Sequence, residues 1–354
     1  MKILIDVMGG DHAPAEIVRG AVEAAGEIDA TVVMIGDESQ IRALGMENGW
    51  DLERENIEIV HAEDVITMED SALSVVREKN HSSMAVGLKM LSEGQGDAFV
   101  SAGNTGALHA GSSLIVRRIR GIQRSAIATV LPMQTPMLLI DSGANVEVET
   151  SHLCQFALIG SIYMNKVFGI ESPRVGLLNN GSESTKGTKK LIEAYAMLSA
   201  DRDINFIGNI EGKDVPFGHC DVLVTDGFTG NVLLKAMEGL GSFMMGKMKG
   251  LFMQNLVTKV SALPVRRGVK ALKKEFDASE YGGAPLLGLA KPVIKAHGSS
   301  DAAAIRAAIR RAIDFADTGV TVEIARRIVA RSEREAAERE ASDPENKIEN
   351  EGQQ

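Results

Sequence analysis

Short runs rich in Val, Ile and Leu alternate with longer amphipathic segments along this chain, and no other feature constrains its fold as strongly. The runs Lys2–Asp6, Thr31–Gly36, Ile57–His61, Ala98–Ser101, Ala126–Leu131, Met137–Asp141, Arg174–Leu178, Asn205–Gly208 and Val222–Thr225 read as strands. Between many of them, Ala15–Ala25, Ser83–Ser92, Thr105–Val116, Ser151–Phe168 and Lys186–Leu198 place apolar residues at helical spacing. Parallel neighbours need a crossover connection, so this alternation predicts a mostly parallel sheet covered by helices. Ala126–Leu131 and Met137–Asp141 share a Pro-containing link, which suits an antiparallel pair. Pro14 suits the first turn of the first helix.

Many of the runs end in loops of Gly with Asn, Asp, Ser or Thr: DVMGGDHAP from Asp6, SAGNTG from Ser101, DSGAN from Asp141, NNGSESTKG from Asn179, TDGFTGN from Thr225 and HGSSD from His297. Ligands of open α/β sheets sit at the carboxyl ends of strands. Free N–H groups at helix starts favour anions, phosphate in particular. The loops therefore predict one polar pocket lined by backbone N–H groups. Its expected binding residues are Asp6, Gly9, Gly10, Asp11, Ser101, Gly103, Asn104, Thr105, Asn145, Asn179, Gly181, Glu183, Gly227, Thr229, Gly230, Gly298 and Ser299.

Each loop also has a plain capping explanation. Asn104 or Thr105 can cap a helix while Gly103 opens the backbone to a ligand. Asp226 beside two glycines and Asn231 suits orientation of an anion or transfer of a proton, and equally an Asp-Gly turn with a cap. Lys186 follows Gly181, Ser182 and Glu183, where it could meet a phosphate or an oxyanion, or simply face solvent. Ser299 beside His297 invites a nucleophilic reading, but no GxSxG elbow is present and a serine there caps a helix equally well. We expect Asp226, Lys186, Asn231 and, more weakly, His297 to carry chemistry, and the DVMGGDHAP, SAGNTG and HGSSD loops to form the cradle.

Other chemistries lack their signatures. No GxGxxG follows the first strand and no GxxxxGK[ST] occurs, which argues against the usual dinucleotide fold and a P-loop. The histidines show no HExxH spacing and cysteines do not cluster, so no metal or other cofactor is expected. Cys154 and Cys220 read as buried thiols in a reducing compartment. A net charge of −10 and 4% aromatic residues argue against nucleic acid. The N-terminus enters a strand pattern directly, and no apolar run reaches the length of a membrane span. The expected location is cytoplasmic, with peripheral association the remaining membrane option.

Two regions leave the α/β rhythm. From Phe228 to about Val260 runs a Met- and Leu-rich helical pattern with Gly239, Gly241, Gly246 and Gly250. Lys247 to Glu275 carries eight basic residues and one acidic, among them Arg266, Arg267, Lys270, Lys273 and Lys274. A dimer interface, an anionic membrane and an acidic protein all suit this stretch. Asp301 to about Arg331 reads as a final helix, or a pair broken near Gly319. Residues 1–340 form one domain on this reading, with a helical insertion at about 228–278. Residues 341–354 form a polar, disordered tail.

The loops MGGDHAP, SAGNTG, GANVE, GNIEG (Gly208–Gly212), TDGFTGN and YGGAPLLG (Tyr281–Gly288) occur in the order seen in the bacterial phosphate acyltransferases of phospholipid synthesis. The chain resembles that family up to its last helix. Val7 stands where Ala is usual, Ser142 where Val is usual and Asn180 where Ile is usual. The resemblance implies a Rossmann-like three-layer α/β/α sandwich, like phosphotransacetylases and isocitrate dehydrogenases, that is dimeric and uses neither metal nor nucleotide. It implies attack of inorganic phosphate on an acyl-acyl-carrier-protein thioester. The acyl phosphate would pass to a membrane glycerol-3-phosphate acyltransferase, which fits peripheral association with an anionic membrane. The competing readings are a nicotinamide-dependent dehydrogenase and a non-catalytic scaffold that holds acyl-carrier protein at a membrane.

Overall fold

The computed structural model describes residues 1–255, seven positions between 258 and 269, and residues 282–342. Arg266, Arg267, Lys270, Lys273, Lys274, Tyr281 and residues 343–354 lie outside the described residues. Eleven strands form one sheet: β1 (Lys2–Asp6), β2 (Thr31–Gly36), β3 (Ile57–His61), β4 (Ala98–Ser101), β5 (Ala126–Leu131), β6 (Met137–Ile140), β7 (Arg174–Asn179), β8 (Asn205–Glu211), β9 (Val222–Val224), β10 (Ala284–Leu287) and β11 (Val293–Lys295). Their order is β3-β2-β1-β4-β11-β10-β5-β6-β9-β7-β8.

The sheet is mixed. One parallel set, β3-β2-β1-β4-β11, is separated from another, β6-β9-β7-β8, by the antiparallel strands β10 and β5. Three successive antiparallel pairings separate β11 from β6, so the two sets run in opposite directions. The antiparallel β5–β6 pair matches the expectation from sequence. Strands β10 and β11 were not read from sequence, because runs of four and three residues carry little period-2 pattern. They join the two halves.

The helices are α1 (Ala15–Ala25), α2 (Glu38–Asn48), α3 (Ser83–Ser92), α4 (Thr105–Gly111, continued by a π turn at Ser112–Val116), α5 (Thr150–Phe168), α6 (Lys189–Ala200), α7 (Gly227–Phe252), α8 (Ala302–Asp317) and α9 (Val320–Ser342). They cover both faces. Ile3 and Ile5 of β1 pack on the face that holds α1, α5, α8 and α9. Leu4 turns to the face that holds α3 and α4, as the two-residue period of a strand requires. A third cluster packs Leu139 and Leu223 against Leu233, Leu234 and Met237 of α7. Helix α2 escaped the sequence reading because its polar face is wide and only Ile41 and Gly45 are buried. The break between α8 and α9 falls at Gly319, where φ is 65°.

Helix α7 is built differently from the rest. Only Gly227 and Gly230 are buried along its 26 residues. Phe228, Val232, Leu240, Phe243, Met244 and Leu251 are exposed. Gly239, Gly241, Gly246 and Gly250 have open space beside them. At 1.5 Å per residue the helix is roughly 39 Å long, and it leaves the body of the molecule after Met237.

Candidate functional site

Three loops converge at the carboxyl ends of β1, β4 and β11. Asp11 N donates to Gly298 O at 2.8 Å, and Ala296 N donates to Ser101 O at 2.9 Å. Gly9 lies so close to Gly103 that an added Cβ would sit 2.8 Å from its Cα. Beneath them Asp6 is buried and accepts from Ser83 Oγ at 2.6 Å, Ser101 Oγ at 2.7 Å and Met8 N at 3.3 Å. Burial pushes its carboxyl up, against the hydrogen bonds that hold it down. Ser101 Oγ also accepts from Gly103 N at 3.0 Å, so one hydroxyl ties the carboxylate to the loop above.

Lys295, the last residue of β11, is buried among these loops. Its ammonium donates to Ala102 O at 3.2 Å and to Ala296 O. Burial pulls its pKa down to about 8, opposed by the charges of Asp6 and Asp11. The sequence reading missed Lys295, although a lysine closing an apolar run two residues before HGSSD was visible. The Gly9, Gly10 and Gly298 N–H groups donate to no acceptor among the described residues. Gly10 has φ 118° and packs on Ala102 and Gly298 O, a conformation that excludes most side chains.

Asn104 and Thr105 lie at the edge of this cluster. Asn104 Oδ1 accepts from Ala107 N at 3.1 Å, which caps α4, and its amide donates to Thr67 O, Met68 O and Asp70 O. It pins the 67–70 segment, whose Met68 side chain lies over Gly298. Thr105 is exposed. His297 Nδ1 is 2.8 Å from Ser299 Oγ. Burial and then the nearby Lys235 hold its imidazole below the usual range.

A second cluster forms at the carboxyl ends of β6 and β9. Asp141 is fully buried. Its Oδ1 accepts from the N–H groups of Ile127, Gly143 and Ala144 at 3.2, 3.0 and 2.9 Å. Its Oδ2 accepts from Asn145 N and Nδ2, both at 2.7 Å. This carboxylate winds the DSGAN loop around itself. Asn145 Nδ2 reaches on to Ser125 O at 2.8 Å, and Asn145 O accepts from Gly227 N at 2.7 Å. Ser125 also approaches His109 Nε2, whose imidazole burial holds below its usual range. Gly230 allows the next approach, because an added Cβ would lie 1.9 Å from Asp141 O. Asp226 caps α7, accepting from Thr229 N at 2.8 Å and Thr229 Oγ1 at 2.7 Å. Asn231 is exposed, with its side chain near Gly143.

Lys235 links the clusters. Its ammonium is 3.5 Å from His297 Nε2 and 2.8 Å from Glu238 Oε2. Helix α7 thus reaches the first cluster although the two strand sets run oppositely. The NNGSESTKG loop stands apart in its bonding. Asn179 holds it by accepting from Asn180 N and donating to Lys186 O, and Asn209 Nδ2 donates to Glu183 O. Lys186 is exposed, its stem against Gly181, and its ammonium makes no hydrogen bond to either cluster among the described residues. Asn180 is exposed, and Ser142 bonds Thr129 Oγ1 and Ile127 O.

Comparison with known proteins bears on the family and the fold. A family model described as fatty acid synthesis protein matches residues 1–323. A phosphate acyltransferase of Acetivibrio thermocellus is 47% identical over 320 residues, covering 90% of this chain and 94% of the relative. One from Oceanobacillus iheyensis is 46% identical over 323 residues, covering 91% of this chain and 95% of the relative. The fold is similar to a phosphotransacetylase from Streptococcus pyogenes, with a TM-score of 0.62 and 17% identity over 89% of this chain and 94% of that one. It is also similar to the EutD phosphotransacetylase from Staphylococcus aureus, with a TM-score of 0.59 and 17% identity over the same shares. The chain belongs to the phosphate acyltransferase family of fatty acid synthesis proteins, and it is an acyltransferase.

Proposed function

We propose that the enzyme transfers a fatty acyl group from acyl-acyl-carrier protein to inorganic phosphate. The observation that carries this reading is the first cluster, where the Gly9, Gly10 and Gly298 N–H groups have no acceptor among the described residues and the Lys295 ammonium lies behind Ala102. Such a cradle suits a phosphate dianion. A phosphate oxygen attacks the thioester carbonyl carbon, and the carbonyl oxygen becomes an oxyanion. The C–S bond then breaks, leaving acyl phosphate and the carrier thiolate, which takes a proton from solvent. Phosphate is itself the nucleophile, so no acyl-enzyme forms.

Asn231 and Lys186 are the proposed oxyanion donors, since both are exposed polar groups on the second half of the sheet. Asp226 orients the phosphate or receives its proton, with His297 as the alternative. Lys235 beside His297 holds the two clusters in register. The acyl phosphate then serves a membrane glycerol-3-phosphate acyltransferase for phosphatidic acid synthesis.

The exposed apolar side chains of α7 support a homodimer through this helix, with its far end against a membrane. No described helix is long and apolar enough to cross one. The basic residues Arg266, Arg267, Lys270, Lys273 and Lys274 follow α7 in the chain and suit anionic lipid or carrier protein. Incubation with acyl-acyl-carrier protein and labelled phosphate tests the reaction, with hydroxylamine trapping of the product. A folded protein that forms no acyl phosphate overturns the reading.

A further inference from the structure

The molecule carries a second basic surface whose side chains are described. Arg117, Arg118, Arg120 and Arg124 are all exposed, within eight residues of a chain whose net charge is −10. Most other arginines here are paired with carboxylates, as in Arg42–Glu38, Arg174–Asp221 and Arg306–Glu27. Among the described residues these four make no ion pair; Arg118 Nη1 donates only to Gln123 O, at 2.8 Å. Unpaired arginines this close repel one another, so the loop must be held by something other than charge.

It is held by its apolar residues and its backbone. Ile119 and Ile122 are buried, so the isoleucines point in while the arginines point out. Ile119 N donates to Gly288 O at 3.0 Å, and Ala290 N donates to Arg117 O at 2.9 Å. On the other side Gln155 Nε2 donates to Gly121 O at 2.8 Å, and Gln123 N donates to Gln155 Oε1 at 2.9 Å. Arg117 sits at φ 69°, where a non-glycine residue is uncommon. The result is a fixed loop that presents four guanidinium groups, whose planar forks suit carboxylates.

The loop also adjoins the site. Arg124 precedes Ser125, whose carbonyl accepts from the Asn145 amide of the Asp141 loop. Between residues 117 and 124 no large apolar side chain is exposed, whereas α7 presents Phe228, Val232, Leu240, Phe243, Met244 and Leu251. A bilayer surface gains from such apolar side chains; a folded acidic partner does not need them. We propose that the Arg117–Arg124 loop is the docking surface for the acidic carrier protein that delivers the acyl thioester, with its thioester arm entering beside the Asp141–Asn145 loop. This rests on the carrier-borne donor proposed above.

The test uses the full-length enzyme and the variants Arg118→Glu, Arg120→Glu and Arg124→Glu, singly and together, with the triple alanine variant as a milder change. Turnover is followed with acyl-acyl-carrier protein and with a small acyl thioester lacking the carrier. KM for the carrier-borne substrate is expected to rise about tenfold in the combined variants, with a weaker salt dependence. KM for phosphate and turnover of the small thioester are expected to stay unchanged, as is the melting temperature. Lysine substitutions in the carrier's acidic surface should restore part of the loss in the glutamate variants. An unchanged KM for the carrier-borne substrate overturns the proposal, including the case in which only binding to anionic vesicles falls. Wild-type enzyme that uses the small thioester but ignores the carrier-borne one overturns the donor reading and this surface with it. Wild-type enzyme inactive on both overturns the reaction itself.

Discussion

The two loop clusters solve the same local problem in opposite ways. At the ends of β1, β4 and β11 the ionisable groups are inside: Asp6 and Lys295 are buried, and the loops above them present backbone N–H groups. At the ends of β6 and β9 the buried carboxylate of Asp141 is consumed by four hydrogen bonds from its own loop and one from Ile127 N of β5, and the polar side chains left over, such as Asn231, face outward. The first arrangement suits holding a charged ligand in a fixed place. The second suits a rigid frame that offers side chains to a reacting group. The clusters meet where Lys235 approaches His297.

The strongest way to break this division is to remove the outward-facing side chains. Asn231→Ala and Lys186→Ala are each expected to lower kcat about 10²–10³-fold, the usual loss for one oxyanion donor. Both side chains are exposed, so melting temperatures should not move. Full activity in both would remove Asn231 of the second cluster and Lys186 of the separate NNGSESTKG loop from the chemistry. Asp141→Ala addresses the frame itself. Losing a buried carboxylate and leaving its donors unpaired should cost about 3 kcal/mol or more in denaturant unfolding. A cost near zero would mean that the DSGAN loop is held by something else.

Lys295 sharpens the division from the other side. Its ammonium is the form that attracts phosphate, and the proton is lost as pH rises through about 8. KM for phosphate is therefore expected to be lowest below that pH and to climb above it. Lys295→Met should raise KM several-fold at pH 7 and flatten the climb. A wild-type profile kept intact in the variant would remove Lys295 from the cradle. The smallest expected effect separates two roles of Asp226. Its bonds to Thr229 cap α7, so Asp226→Ala should cost about 1 kcal/mol while Asp226→Ser retains the cap. If both retain full turnover, Asp226 caps and does nothing more; lost turnover with a retained cap assigns it to the chemistry.

Much of the fold was legible in the residues. Short apolar runs alternating with helical patterns located β1 to β9; β6 and β9 each end one residue before the expected boundary, while β7 runs one residue and β8 three residues beyond it. Of the loops, the one-dimensional pattern showed which were rich in N–H groups and glycine. It did not show which of them meet. DVMGGDHAP meets SAGNTG through the β1–β4 pairing, but HGSSD joins them only because β11 lies beside β4, and three residues of strand leave no periodic trace. Lys295 escaped notice for the same reason: its burial is a consequence of that pairing.

Local physics, written residue by residue, thus determined the α/β alternation, the Gly-rich loops at strand ends and the family. Periodicity, capping and glycine all act over a few residues, so they survive in a linear reading. The tertiary structure decided the reversal of the sheet at β10 and β5, the sorting of loops into two clusters and the burial of Asp6, Lys295 and Asp141. Burial and long-range strand pairing depend on what the rest of the chain brings alongside, between residues as distant as Asp6 and Lys295, and no local pattern encodes that.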